Sequence, residues 1–351
     1  MKGTVLIHRL GSLGDTVVAL PALRVVARTF PGARRIMMTN FNVSSRAAPA
    51  QEVLEGTGLI DGYIRYPLGL RSLGGLARLA AEVRAVRPEL VVYLPSPRGI
   101  GAMLRDRLFF VACGNPKVVG MPWGSLRTRL HRPDGRVERE GERLLRCVAP
   151  LGSIDPGAAQ SYRLWPDEAA RRQADAVLAP LGGRPLLAFS VGTKMPANDW
   201  EDGRWRPLLQ QLAVRYPEHG VIAVGALEEA GRVDRLLAGW TGRALNLCGA
   251  LRVPSSVAVL SRCQVFIGHD SGPLHLAAAA GTRCVGVFSS RLEPGMWFPF
   301  GEGHEVIYHP IACQGCGLER CEARAKACIR SITVDEVVQA VGRVLGPGVD
   351  R

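Results

Sequence analysis

The sequence predicts two α/β halves, each built on a doubly wound parallel sheet. Three observations lead there. Short runs that are apolar on both faces alternate with stretches of helical period, the pattern of a parallel sheet covered by helices on both sides. The alternation loosens over 114–134 and restarts after the Gly-Gly-Arg-Pro at 182–185, so there are two such series. The chain has 351 residues, 47% of them hydrophobic, which suffices for two cores of ordinary size; one core of that length would be unusual.

The elements follow in order. An apolar strand covers 4–10, a GSLGD loop covers 11–15, and a helix covers 16–30, with Pro21 either starting or kinking it. A second strand lies in ARRIMMTN (33–40), a short helix in 51–56 and a third strand in DGYIRYP (61–67). Helical period runs over 72–86 and stops before Pro88. LVVYL (90–94) is a short, fully apolar strand. The segment 149–160 is a loop, and 166–181 is an amphipathic helix with Asp167 and Glu168 in its first turn, where the helix dipole favours anions. The second series then reads as strand 184–192, helix 204–216, strand 219–226, helix 228–240, LNLCG (245–249), a helix after Pro254, QVFIG (264–268), an alanine-rich helix, RCVGVF (283–288) and a last helix over 334–345. The expected domains are 1–165, 166–333 and a closing helix with tail at 334–351. Ligands of doubly wound sheets bind outside the carboxyl ends of the strands. The sequence therefore predicts a cleft between halves, lined by GSLGD, SVGTK (190–194), VGALEE (224–229) and GHDSGP (268–273).

The formal net charge is +13. An anionic partner fits that balance: nucleic acid, a membrane surface or phosphorylated small molecules. Arginine bias without function fits it too. Aromatic residues are only 6% and the arginines are dispersed, which argues against a nucleic-acid groove. The chain opens directly on a strand-like run, with no leader pattern, and no stretch of about 18 apolar residues occurs. A cytoplasmic protein is expected. Of nine cysteines, Cys113, Cys147, Cys248, Cys263 and Cys284 read as reduced core residues.

Chemistry concentrates in VFIGHDSGPLHLAAAAGTRCVGVF (265–288). Asp270 or Ser271 can cap the helix that follows, and Pro273 suits its first turn. Free amides and the positive dipole end make an anion site suited to a diphosphate. Gly272 allows close approach of a ligand, and His275 either reaches the same anion or lies in the core. Asp15 in GSLGD either caps a helix or acts as a general base. Lys194 follows a strand in a chain with few lysines and can neutralise a leaving diphosphate. Glu228 or Glu229 can hold ribose hydroxyls. There is no G-x-G-x-x-G after a strand, no G-x-x-x-x-G-K-[ST] and no D-x-D pair, so catalysis is expected to need no divalent ion. Cys313, Cys316, Cys321 and Cys328 form C-x₂-C-x₄-C-x₆-C. That spacing suits a structural zinc ion or an iron–sulfur cluster; packed free thiols and disulfides are the alternatives.

Three fragments in order, IHRLGSLGDTVVALPALRVVARTFPGARRIMMT (7–39), VGTKMPANDWEDGRWRPLLQQL (191–212) and FIGHDSGPLHLAAAAGTRCVGVFSS (266–290), resemble glycosyltransferase family nine, the ADP-heptose heptosyltransferases. The resemblance spans about residues 4–345. It implies two Rossmann-like domains in the GT-B arrangement and inverting transfer from a nucleotide sugar, ADP-heptose in lipopolysaccharide synthesis. By that likeness Asp15 deprotonates the acceptor hydroxyl and Lys194 stabilises the diphosphate. In the family pattern a lysine directly precedes the tryptophan, whereas here Asn198 and Asp199 precede Trp200. Asp270 would touch the donor sugar, the amides of Ser271, Gly272 and Leu274 would hold phosphate beside His275, and Gly14 and Thr193 would complete the donor site with Glu228 or Glu229. Acceptor binding falls to the first half, where Arg65, Arg98, Arg105 and Arg107 can meet an anionic glycan, lipid or small molecule, with peripheral contact at the inner membrane face. A nucleotide-sugar epimerase or hydrolase of the same architecture, and a basic metal-containing nucleic-acid-binding protein, are the competing readings.

Overall fold

The structure, a computed structural model, describes residues 2–41, 48–69, 72–96, 99–155 and 158–346. Arg98 and the tail 347–351 lie outside the described residues. The chain divides into two compact units, one formed by residues up to 162 and the other by 163–346 together with 132–137.

The first unit holds strands β1 (Thr4–His8), β2 (Arg34–Thr39), β3 (Gly62–Arg65), β4 (Pro88–Tyr93) and β5 (Lys117–Val119). Its helices are α1 (Leu13–Val17), α2 (Leu20–Thr29), α3 (Ala50–Leu54), α4 (Leu73–Ala85), α5 (Ile100–Ala112) and α6 (Glu140–Val148). The strands are all parallel in the order β3-β2-β1-β4-β5. Leu6, Ile36, Met38, Val91 and Tyr93 face one side, where Leu79 and Val83 of α4 and Phe110 of α5 close the core. Ser72 caps α4 by accepting from the Gly75 amide at 3.2 Å. The single helix expected over 16–30 is two helices, and Pro21 sits in the first turn of the second, where its missing N–H costs nothing. Helices α5 and α6 and the short strand β5 are not among the elements expected from the sequence; only β5 falls in the stretch 114–134 that lacks a clear period.

The second unit holds β6 (Leu186–Ser190), β7 (Gly220–Ala223), β8 (Ala244–Asn246), β9 (Val265–His269), β10 (Arg283–Phe288) and β11 (Glu305–Tyr308). Its helices are α7 (Glu168–Leu178), α8 (Asp202–Arg215), α9 (Ala230–Leu237), α10 (Val253–Leu260), α11 (Gly272–Ala280), α12 (Ala327–Arg330) and α13 (Val334–Leu345). These strands are also parallel, in the order β11-β10-β9-β6-β7-β8. Asp167 is the N-cap of α7, accepting from the Ala170 amide at 2.7 Å. Phe189, Val221, Ile267 and Val285 meet Trp205, Leu208 and Leu212 of α8 and Val337, Val341 and Val344 of α13 in one core. The last helix is thus integral to this unit. Thr333 caps it, and Glu336 returns the bond to the Thr333 amide at 2.8 Å.

The five scattered cysteines are free and buried; burial pushes the Cys113 thiol up to about 11 and Cys248 to about 12. They are packing groups, as expected. Among the described residues no helix is long and apolar enough to cross a membrane.

Leu212 is buried where α8, α13 and the sheet meet. Leu212→Ala should cost about 2–5 kcal/mol in urea unfolding of the intact chain, and a loss below half of the lower bound would contradict a close-packed seam.

Candidate functional site

In each sheet the strand order reverses once. Chain growth runs β1 to β3 in one direction and resumes at β4, back beside β1; in the second sheet it runs β6 to β8 and resumes at β9, beside β6. The loops leaving the two central strands then diverge, and the crevice at their carboxyl ends is where open α/β sheets bind ligands.

In the first unit the loop after β1 carries GSLGD. Gly11 has φ +142°, and its amide donates to Asn40 Oδ1 at 2.7 Å. A Cβ there would lie 2.2 Å from the Asp15 Cβ, so only glycine lets this turn close. Ser12, not Asp15, is the N-cap of α1. Asp15 stands at the third helical position, and its Oδ2 accepts from the Ser12 amide at 2.9 Å and hydroxyl at 3.3 Å. That corrects the expectation that Asp15 caps the helix from its start. Its side chain keeps 30% of its surface exposed, and Oδ1 lies 3.7 Å from Arg9 Nη2. Gly14 is buried in the same turn.

Arg9 is the organiser of this loop. It is fully buried, donates to the Asp15 carbonyl at 3.1 and 3.3 Å and to the Leu94 carbonyl at 2.7 Å, and pairs with Glu140 at 3.2 Å. Glu140 is also fully buried and accepts from Arg143 at 2.8 and 2.9 Å and from Arg129 at 2.6 Å. Burial alone raises the Glu140 carboxyl. The Arg143 hydrogen bonds and the charges of Arg9, Arg143 and Arg129 outweigh it and hold the group down at about 2. The ends of β1 and β4, α1 and α6 are therefore tied through one carboxylate. Arg9 was legible as a charge interrupting an apolar strand end; Glu140, 131 residues away, carried no local signal.

In the second unit Ser190 of β6 pairs with Gly268 of β9, so the loops 191–201 and 269–272 start side by side. Thr193 and Lys194 lie on the first of these. Thr193 Oγ1 accepts from the Met195 amide at 3.2 Å, and Lys194 is exposed. Asn198 and Asp199, where the family pattern has lysine, are structural here. Asn198 is buried and accepts from Ser289 Oγ at 2.5 Å, and Asp199 accepts from Arg232 at 2.9 Å. The Trp200 amide donates to His269 Nε2 at 3.1 Å. Burial pushes His269 down to about 4, which keeps it the neutral acceptor this bond needs. Glu201, at φ +73°, is gripped by Arg330 at 2.9 and 3.0 Å and Lys326 at 2.5 Å. Those charges hold its carboxyl at about 2.

The Asp-Ser-Gly-Pro knot opens α11. Ser271 occupies the N-cap with extended backbone, but its hydroxyl does not cap; that oxygen is buried and has no hydrogen-bond partner among the described residues. The expectation of a side-chain cap at 270–271 is corrected accordingly. The amides of Gly272 and Leu274 fall in the first turn, where a helix has no carbonyl to offer them. Asp270 Oδ1 lies 3.9 Å from His275 Nε2. His275 is buried with its ring edge-on to Trp297, centroids 5.9 Å apart, a neighbour the sequence did not reveal. Of the two glutamates, Glu228 is exposed, whereas Glu229 points at the strand ends. A Cβ on Gly192 or Gly225 would fall within about 2 Å of the Glu229 carboxylate (1.9 and 2.1 Å), so those two glycines make its room.

The four clustered cysteines line one hollow of about 10 Å³ together with Ala197, Ser290, Arg291 and Arg324. Among the described residues no three His, Cys, Asp or Glu groups stand close enough to hold a metal ion. The segment braces the β6 loop: the Ala197 amide donates to the Glu319 carbonyl at 3.0 Å, and Lys326 donates to the Asp199 carbonyl at 3.1 Å.

Against known proteins, the model of glycosyltransferase family 9 (heptosyltransferase) matches residues 144–326, more than half of the chain. The chain belongs to glycosyltransferase family 9. It is 22% identical over 171 residues to lipooligosaccharide heptosyltransferase 2 of Campylobacter jejuni, covering 46% of this chain and 52% of that protein. The chain thus spans about half the length of the curated relatives it matches. Among solved structures, the family 9 glycosyl transferase of Veillonella parvula aligns with TM-score 0.73 at 18% identity, over 98% of this chain and 97% of its own. The Escherichia coli ADP-heptose heptosyltransferase II aligns with TM-score 0.68 at 18% identity, over 97% and 98%. TibC, described as a dodecameric iron-containing heptosyltransferase in complex with ADP-D-β-D-heptose, aligns with TM-score 0.54 at 13% identity, over 98% and 76%. These likenesses show that the family 9 chain has the fold of two Rossmann-like α/β units, the GT-B class.

Glu140 is held below its ordinary value of 4.5. Its contribution to stability is therefore complete above that value and is lost as pH falls through it toward about 2. Glu140→Gln should cost about 3–5 kcal/mol at pH 7 and flatten the acid limb of stability between pH 4.5 and 2. Urea melts across that range check both; an unchanged acid limb would contradict the assignment.

Proposed function

We propose that the protein is an inverting glycosyltransferase that moves a heptose from ADP-heptose onto an acceptor hydroxyl of a glycan, lipid or small molecule. The observation that carries this reading is the mouth of α11. There the buried Ser271 hydroxyl, without a partner among the described residues, two first-turn amides and a positive dipole end lie together at the β6–β9 reversal. That set suits a diphosphate. Family membership supports the transfer chemistry, and the Escherichia coli neighbour described as acting with ADP-heptose on lipopolysaccharide supports the donor and acceptor class. The reaction is placed in the cytoplasm, a compartment that suits nine free cysteines.

The roles follow from the groups. Asp15 Oδ1, the oxygen not engaged by Ser12, takes the proton of the acceptor hydroxyl. The acceptor oxygen attacks the anomeric carbon from the side opposite the nucleotide, and the bond to the β-phosphate oxygen breaks, so ADP departs with the electron pair. A placed base supplies about 10²–10⁴-fold. The amides of Ser271, Gly272 and Leu274, with Lys194, spread the departing charge without a divalent ion. Glu229 is the ribose ligand, Asp270 and His275 act at the donor, and Thr193 and Gly14 complete its surroundings. The reading requires Asp15 and the α11 mouth to act on the same donor–acceptor pair. Arg65, Arg105 and Arg107 are assigned to an anionic acceptor.

The cysteine segment is assigned a structural role. The four thiols line one hollow but do not stand close enough together to ligate an ion as they are placed, so binding one would require the segment to draw in around it. The iron-containing description of TibC supports a metal in this family. Bound at Cys313, Cys316, Cys321 and Cys328, such an ion would cross-link the segment that braces the β6 loop.

Asp15→Asn should abolish transfer while ADP affinity, measured by calorimetry without Mg²⁺, stays within a few fold. Near-normal turnover would refute the base, and failure of the parent protein to bind ADP would refute the donor site. Release of ADP from donor in water alone, undiminished by removal of the acceptor, would instead indicate a hydrolase. Elemental analysis of anaerobically purified protein should find one zinc or iron per chain, lost in Cys316→Ser/Cys321→Ser; metal-free protein with all four thiols reactive would contradict the metal.

A further inference from the structure

Arg232 has no part in the transfer chemistry above, yet it is bonded on three sides. It stands in the first turn of α9, three residues after Glu229, the N-cap residue of that helix. A cation there opposes the helix dipole, so the position is unfavourable unless other groups offset it. Three acceptors do. Arg232 Nε donates to Asp202 Oδ1 at 2.5 Å, Nη2 to Asp199 Oδ1 at 2.9 Å and Nη1 to the Val191 carbonyl at 3.3 Å. All three guanidinium nitrogens are engaged, a fork that the compact ammonium of lysine does not reproduce. The Arg232 side chain keeps only 24% of its surface exposed, so water screens these bonds less than those of a free surface pair. The acceptors bracket one loop. Val191 directly follows β6 and Asp202 opens α8, so one side chain on α9 holds both ends of 191–202. That loop carries Thr193 and Lys194. Near its far end the same Asp199 oxygen accepts from the Glu201 amide at 3.0 Å, and the Trp200 amide is bonded to His269, next to Asp270. At its near end a Cβ on Gly192 would fall 1.9 Å from Glu229 Oε1, so the Glu229 carboxylate lies against the Gly192 backbone. Loop and helix therefore meet twice, at Glu229 and at Arg232, three residues apart on one helix face.

We infer that Arg232 is a positioning residue: it locks the loop bearing Thr193 and Lys194 to the end of α9 bearing Glu229, so that the diphosphate and ribose contacts act as one grip. The inference rests on the donor-site reading given under Proposed function. Its physical basis is preorganisation. A loop held at both ends has little freedom left to lose when the nucleotide arrives. A released loop must be ordered by the ligand, and binding weakens by that amount. Release also uncouples the two contacts, because Lys194 then moves independently of Glu229. Charge balance alone does not require this geometry. An ammonium between Asp199 and Asp202 would neutralise them and leave the Val191 carbonyl unheld.

The test is calorimetric binding of ADP to the full-length protein without Mg²⁺, for the parent, Arg232→Met, Arg232→Lys, Glu229→Gln and Arg232→Met/Glu229→Gln. Asp199 and Asp202 already keep 28% and 41% of their surface exposed, so water can take the place of the arginine and each variant should keep its thermal transition. Arg232→Met should weaken ADP binding by about tenfold or more. Arg232→Lys keeps the charge without the fork and should recover only part of that loss; it carries the comparison if Arg232→Met does not fold. In the double variant the two losses should overlap, falling short of their product by about threefold or more. Three results would overturn the inference and leave the donor site standing: parent-like ADP affinity in both Arg232 variants, full recovery in Arg232→Lys, or single losses that simply multiply. A parent that binds no ADP would remove the donor site and the inference with it.

Discussion

The reversal of strand order at β6 and β9 is the constraint from which the candidate site follows. A right-handed crossover carries the chain outward from β6 through β7 to β8, and the next strand must return to the free side of β6. Two loops then leave adjacent strand ends in opposite directions, and backbone cannot fill the gap between them. What lies at that gap is α11, entered through Asp270 and Gly272 with Pro273 in its first turn. A parallel sheet so covered buries both faces of every central strand, which explains why β1, β6 and β9 tolerate so few polar side chains.

The loops at these strand ends are tied down electrostatically in both units, by different means. In the first, three arginines converge on one buried carboxylate, and Arg9 carries that anchorage to the backbone of the Asp15 turn. Such a cluster stabilises only as a whole, because removing one member leaves uncompensated charge in the interior. In the second, a neutral buried histidine and a partly exposed Glu201–Lys326–Arg330 group hold the 191–201 loop from two sides. The cysteine segment lies on the same loop through the Ala197–Glu319 bond. Its position explains how residues far along the chain can influence a turn that follows β6 without entering the chemistry.

The fold was legible because its signals are local. Fully apolar runs marked β1, β4, β6, β9 and β10, and the last helix, expected over 334–345, has those bounds as α13. Two helices went unread: α5 exposes part of its apolar content, so its pattern blurs, and α6 is short and carries two of its charges, Glu140 and Arg143, inward. The loops that bear Asp15, Lys194 and Asp270 were found by glycine and proline punctuation at strand ends. Their neighbours were not, because Glu140, Trp297 and Lys326 reach those loops only through tertiary packing. Cap positions also failed to transfer. Ser271 sits where a cap belongs, yet its hydroxyl makes no bond to the helix amides, and Asp15 reaches back from the third position of its helix. Side-chain direction at a helix start depends on the preceding loop's path, which no spacing rule encodes.

The account turns on whether the mouth of α11 holds a nucleotide diphosphate. Amide hydrogen exchange of the intact protein, with and without saturating ADP, addresses that directly. Slowed exchange at residues 269–276, accompanied by the adjoining 191–200 loop, is the predicted result. ADP that binds and protects other segments while leaving 269–276 unchanged would contradict it.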